Sequence, residues 1–183
     1  MDDDEGPRQY KSWVRGKVIH FDPPTINTLL GEPFESPDFR SPGNWYDIAK
    51  ELCIPGRSFS TNNDGQPIRI YRKHMKTMAQ IWMIFLLHNV IPNSHVSSLP
   101  FNSCKVLYDV LTSTRFDVTE VIAHEMYRTA LKPGEKGTMG FPSLITSLCA
   151  RQGVRVNRTE QTKPPITNKY IIHNCKEDAH EEA

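Results

Sequence analysis

A chain of 183 residues can build one core unaided, because folding at that size hides roughly 70% of the surface that the unfolded chain exposes. Its apolar share of 38% and charged share of 23% exclude a wholly disordered composition. With 22 Lys and Arg against 21 Asp and Glu the net charge is +1, so no whole-molecule field selects nucleic acid or a membrane, and any such argument needs a local patch.

Residues 1–12, opening on Met1-Asp2-Asp3-Asp4-Glu5, lack apolar spacing and are expected to be an acidic, disordered start. Trp13 to Phe21 alternates loosely between apolar and polar residues and predicts a short strand or extended arm. Asp22 is a candidate N-cap before Pro23-Pro24, and Ile26, Leu29 and Leu30 give a short helix one apolar face that Gly31 ends. Pro33, Pro37 and Pro42 mark a loop. Asn44 can cap a helix carrying Trp45, Ile48, Ala49 and Leu52, stopped by Pro55-Gly56. Around the turn residues Asn63-Asp64-Gly65, Arg57 to Ser60 is expected to pair with Ile68 to Tyr71 as a small hairpin.

The strongest element is Met75 to Ile91. It begins as a stripe of Met75, Met78, Ala79 and Trp82, and from Ile81 to Leu87 it is apolar on every side, as in a buried central helix. Lys76, Gln80 and His88 bound that run well short of the ~20 residues a bilayer needs. Cys104, Leu107, Tyr108 and Leu111 predict another helix, entered through Pro100-Phe101. Asp117 with Glu120 resembles a capping box before Val118, Val121, Ile122, Met126 and Ala130. After a connector at 134–140, Leu144, Ile145, Leu148 and Cys149 form a last helix that Gly153 can cap. The expected architecture is mainly α: an irregular bundle of about six helices around a central buried helix, with a short strand or hairpin in the N-terminal half. A single helical domain over 13–155 is followed by a polar linker and acidic tail over 156–183.

Cys53, Cys104, Cys149 and Cys175 have neither disulfide-framework nor zinc-module spacing and read as buried, reduced thiols. The acidic start does not fit a secretory signal, so the expected compartment is intracellular, nucleus or cytoplasm.

His124-Glu125 resembles the start of a zinc-protease helix, but the second ligand position holds Arg128, whose charge would repel a metal, so no metal site is expected. Gly134, Gly137 and Gly140 lack the Gly-Lys-Ser/Thr ending of a phosphate loop and read as a connector. Asp109, Asp117, Glu120 and Glu125 belong to helical patterns, unlike the strand-end carboxylates that hold paired metals. His20, His74, His88 and His95 are scattered singly. No catalytic residue and no cofactor is expected. One basic strip stands out: Arg151, Arg155, Arg158 and Lys163, with Lys169 and Tyr170 beyond. It could contact phosphates, or be a solvated linker offset by Glu160 and the acidic tail.

Five blocks in order carry a family resemblance. They are Val14-Arg15-Gly16-Lys17 leading to Phe21-Asp22-Pro23 and Ile26 to Gly31; Glu51 to Gly56; Ile81-Trp82 through Ile91-Pro92-Asn93-Ser94-His95; Leu107 to Leu111; and Gly140 to Cys149. From about Arg15 to Val154 the chain resembles the plant family described as putative plant transposon protein, found near retroelement-derived sequence. The resemblance implies origin and transfers no catalytic residue. Its Trp, Pro-Ser-His and Phe-Pro-Ser-Leu blocks read as packing and helix entry: Trp82 buried on all sides, Ser94 as a cap, Phe141 as a staple before Pro142. The expectation is a non-enzymatic, mobile-element-derived domain that binds protein, itself or nucleic acid, with no membrane partner. The alternatives are a nucleic-acid-processing enzyme whose site assembles only in three dimensions, and a retroelement remnant without activity.

Overall fold

Capping residues and tight turns set the limits of each element. The computed structural model describes residues 9–31, 44–114, 116–131, 140–156 and 167–175. In chain order these hold β1 (Lys11–Val14), β2 (Lys17–His20), α1 (Pro23–Leu30), α2 (Trp45–Leu52), β3 (Ser60–Thr61), β4 (Pro67–Tyr71), α3 (Thr77–Asn89), β5 (Ser98–Pro100), α4 (Phe101–Leu111), α5 (Val118–Ala130), α6 (Pro142–Arg151) and α7 (Asn168–Asn174), with a 3₁₀ turn at Arg72–His74. The fold is mainly α. Its described residues fall into two compact units, one drawn from 1–35 and 117–163, the other from 36–116 and 164–183.

In the first unit, the expected single extended arm is folded back on itself. Arg15 and Gly16 both take positive φ, 48° and 78°, the left-handed pair that a two-residue hairpin turn requires. Val14 therefore faces Lys17, Trp13 faces Val18 and Lys11 faces His20. Asp22 caps α1 by accepting from the Thr25 backbone N–H at 2.9 Å and its hydroxyl at 2.8 Å. Only Ile26 of the expected α1 face is fully buried; Leu30, in the last turn, is 53% exposed. Helix α1 packs on α5 and α6, and Ile19, Phe21, Ile26, Ile122, Ala123 and Leu148 supply the core. Asp117 caps α5 as expected, and the hydroxyl of buried Thr119 lies 3.3 Å from the Pro23 carbonyl, so the starts of α1 and α5 meet.

In the second unit α4 packs against α2 and α3 and against β4 and β5 of the antiparallel sheet β3-β4-β5. Asn44 caps α2 through the Tyr46 N–H, and Ile48, Ala49 and Leu52 are buried. The expected hairpin pairs Ser60–Thr61 with Pro67–Tyr71, so its first strand starts slightly later than Arg57. Its third strand, β5, lies where only a helix entry was expected. Such a three-residue strand carries almost no periodic signal of its own.

Helix α3 departs most from its expectation. Ala79, Gln80, Met83, Ile84, Leu86 and Leu87 are buried, yet Met78, Trp82 and Phe85 are 57%, 38% and 42% exposed. Trp82 is thus not enclosed, because hydropathy reports how apolar a helix is and not how many of its sides have neighbours. Gln80, a polar residue, is buried; its Nε2 donates to the Met75 carbonyl at 2.9 Å, which removes the desolvation cost.

Helix α7 lies within the segment expected as linker. Thr167 caps it through the Tyr170 N–H at 3.2 Å, and Cys175 at its end is buried. All four cysteines are free and buried. Burial pushes the Cys53 thiol up to about 11, against the pull of Lys76, and the Cys104 thiol up to about 12, so both stay protonated at neutral pH. No described helix is long and apolar enough to cross a membrane.

Candidate nucleic-acid interface

Residues 15–17 and 151–155 are far apart in sequence, and side-chain hydrogen bonds bring them together in the first unit. Arg15 Nη1 donates to the Arg155 carbonyl at 2.7 Å, and Lys17 Nζ donates to the Gly153 carbonyl. Gln152 extends the hairpin like one more strand residue: its Oε1 accepts from the His20 N–H and its Nε2 donates to the His20 carbonyl, both at 2.8 Å. Arg151 Nη1 donates to the Thr28 carbonyl in the last turn of α1 at 3.1 Å.

Local geometry makes this possible. Helix α6 ends where Gly153 takes φ 81°, which swings the chain back and turns the Gly153 and Arg155 carbonyls toward the hairpin. A Cβ built on Gly153 would sit 2.8 Å from Lys17 Nζ. Gly153→Ala is therefore expected to cost about 1 kcal/mol in backbone strain and to displace the Lys17 hook. A thermal melt alongside wild type checks it, and an unchanged midpoint would contradict the geometry.

Arg15, Lys17, Arg151 and Arg155 are all exposed. Neutral carbonyls hold the first three, so each keeps its charge and further N–H donors. Among the described residues no ion pair involves any of the four; those of this unit are Arg128 with Glu125 at 2.9 Å and His20 with Asp22 at 4.0 Å. The opposite face of the hairpin presents Lys11, Trp13 and His20, and Trp13 is 73% exposed. An open indole on one face of a hairpin whose turn and other face carry cations suits a polyanion whose bases can stack, because guanidinium and ammonium groups pair with phosphates and every base has a π-face.

Of the strip expected from sequence, Arg151 and Arg155 belong to this edge, while Arg158 and Lys163 lie outside the described residues. Arg15, Lys17 and Trp13 join it only in three dimensions. The run Arg15-Gly16-Lys17 is their sole signal in the sequence, a turn glycine between two cations.

Several of the groups weighed for catalysis are engaged within the fold or shifted by it. Arg128, standing where a second metal-binding His would be needed, donates from Nη2 to Glu125 Oε2. Asp117 is a cap, and burial raises the Asp109 carboxyl above the usual range. His74 stacks edge-on to Tyr71; desolvation and the cations Arg57 and Lys73 lower its pKa, favouring the neutral ring. Among the described residues no group of three or more His, Cys, Asp or Glu is placed to hold a metal ion.

The model of the family described as putative plant retrotransposon-related domain matches residues 1–155. That span takes in the acidic start, which lies outside the blocks that carry the sequence resemblance. No curated protein and no solved structure matches the chain.

Proposed function

Because the chain belongs to the putative plant retrotransposon-related family and is of mobile-element derivation, we propose that it is a non-catalytic module that binds single-stranded nucleic acid at the edge formed by the β1–β2 hairpin and the end of α6. The observation carrying this reading is the gathering of Arg15, Lys17, Arg151 and Arg155, unneutralised among the described residues, on the hairpin that exposes Trp13. The cations take phosphates through released counterions, and Trp13 takes a base by stacking. Single strands are preferred over duplex because paired bases offer no open face to the indole. Such binding would take place in the nucleus or cytoplasm.

Fluorescence anisotropy with a labelled 20-nucleotide single strand, DNA or RNA, at a series of salt concentrations tests the reading. If all four cations contact phosphate, the log–log salt slope is expected near about −3. Arg155→Glu, whose side chain makes no described structural bond, should weaken binding about tenfold at low salt and flatten the slope. Trp13→Ala should weaken binding by about tenfold with the slope unchanged, since stacking releases no counterions. Affinity indifferent to Arg155→Glu and to joint Ala replacement of all four cations would dismiss the site.

A further inference from the structure

From Ile54 to Lys76 the chain carries Arg57, Arg69, Arg72, Lys73 and Lys76 against Asp64 alone, a local patch in a molecule of nearly balanced charge. The fold gathers part of it on one face of the β3-β4-β5 sheet. Ile70 and Leu99 are paired across β4 and β5 and both are 0% exposed, so they mark the inner face. Side chains alternate along a strand, which turns Arg69 and Tyr71 to the outer one. Their neighbours there are small, Ser60 and Pro100 beside Arg69 and Ser98 beside Tyr71, and Tyr71 is 42% exposed. Asp64 belongs to the turn at the other end of β4.

Two more cations reach Tyr71 from the end of the strand. Lys73 and His74 follow it in the 3₁₀ turn, and His74 stands edge-on to the Tyr71 ring with centroids 5.8 Å apart. The Ile54 N–H donates to the His74 carbonyl at 3.0 Å, and the Arg57 N–H donates to the Ile54 carbonyl at 3.2 Å, so the 54–57 turn brings Arg57 to the same end. Desolvation lowers the His74 pKa, and Arg57 and Lys73 lower it further, as cations near the ring do. Arg72 and Lys76 are committed elsewhere, to Cys175 Sγ at 3.9 Å and to the Lys50 carbonyl at 3.0 Å. Arg57, Arg69 and Lys73 are exposed and, among the described residues, make no side-chain hydrogen bond or ion pair.

We propose that this outer sheet face is a second site for single-stranded nucleic acid, at which a base stacks on Tyr71 and Arg57, Arg69 and Lys73 take the phosphates beside it. Three uncommitted cations next to strands that hold no acid select a polyanion, and the open ring among them selects one that carries planar groups. A phosphorylated peptide or an anionic lipid surface would use the cations and leave the ring idle. The site lies within the second unit and shares no residue with the β1–β2 edge, so either can fail without the other.

Calorimetric titration of the full chain at low salt with a single strand of about six nucleotides counts the sites. Two per chain are expected. A chain carrying Trp13→Ala with Arg155→Glu should keep one, which Tyr71→Ala and Lys73→Glu should each weaken about tenfold. Tyr71→Phe keeps the ring and should bind like its parent. All these positions are exposed, so the variants retain their helical circular dichroism. If the β1–β2 edge does not bind, the wild type shows one site, indifferent to Trp13→Ala with Arg155→Glu and weakened by Tyr71→Ala, and the sheet site stands alone. The proposal is overturned if no site remains once the edge is disabled, or if the remaining one ignores Tyr71→Ala and Lys73→Glu. It is also overturned if a phosphoserine peptide or anionic vesicles bind as tightly as the oligonucleotide and are weakened by Lys73→Glu but not by Tyr71→Ala.

Discussion

Leu107→Ala is expected to lower the free energy of unfolding by about 2–5 kcal/mol, well above the effect of truncating a half-exposed side chain. Leu107 is 0% exposed on α4, and α4 touches α2, α3, β4 and β5. Walls that belong to both helices and a sheet cannot all move inward together, so the deleted isobutyl group leaves a cavity and its cost adds to the lost transfer free energy. Leu30→Ala removes the same atoms from a side chain that is 53% exposed, and should change stability by under about 0.5 kcal/mol. Urea unfolding of both variants provides the comparison. Similar midpoints for the two would mean that α4 does not hold the second unit together as described.

How much of the fold is readable in the sequence depends on whether a signal is local. Asp22, Asn44 and Asp117 are legible as caps, because capping joins a side chain to N–H groups two or three residues on, and all three do so. The first six helices follow from such caps and from apolar spacing. The Arg15–Gly16 reversal is hidden because Trp13 to Phe21 alternates only loosely, so a turn in its middle leaves no clear break in the pattern, although it sets Trp13 and Val18 on one face where a single strand would separate them. The exposure of Trp82 and Phe85 is hidden for another reason. An all-apolar helix has no polar side to mark the direction of solvent, so which residues lack neighbours is decided by the rest of the fold. Helix α7 is faint because Asn168 to Asn174 is short and polar and bears only its Thr167 cap as a marker. The candidate interface is half legible. Arg151 and Arg155 stand out as a cluster, but Arg15 and Lys17 join it through bonds spanning 140 and 136 residues, and no local pattern announces a contact at that range.

Asp117→Ala is expected to cost about 2 kcal/mol, at the upper end for an N-cap, because this cap is partly buried and does more than one job. Its Oδ1 accepts from the Thr119 N–H at 2.8 Å, the Thr119 hydroxyl at 2.6 Å and the Glu120 N–H at 3.3 Å. Thr119 is 1% exposed, so water cannot replace the lost acceptor freely. The hydroxyl has a second acceptor within reach, the Pro23 carbonyl at 3.3 Å, and turning toward it limits the loss. The Glu120 N–H, on an exposed residue, can turn to water, whereas the Thr119 N–H belongs to a buried residue and bears most of the loss. Asp117→Asn keeps a carbonyl oxygen in the same place and should recover more than half of the stability, losing mainly the favourable charge at the helix start. Thermal melts of the two variants separate the roles: equal losses for Ala and Asn would assign the residue's effect to charge, and a clear recovery by Asn assigns it to the hydrogen bonds that begin α5 beside the start of α1.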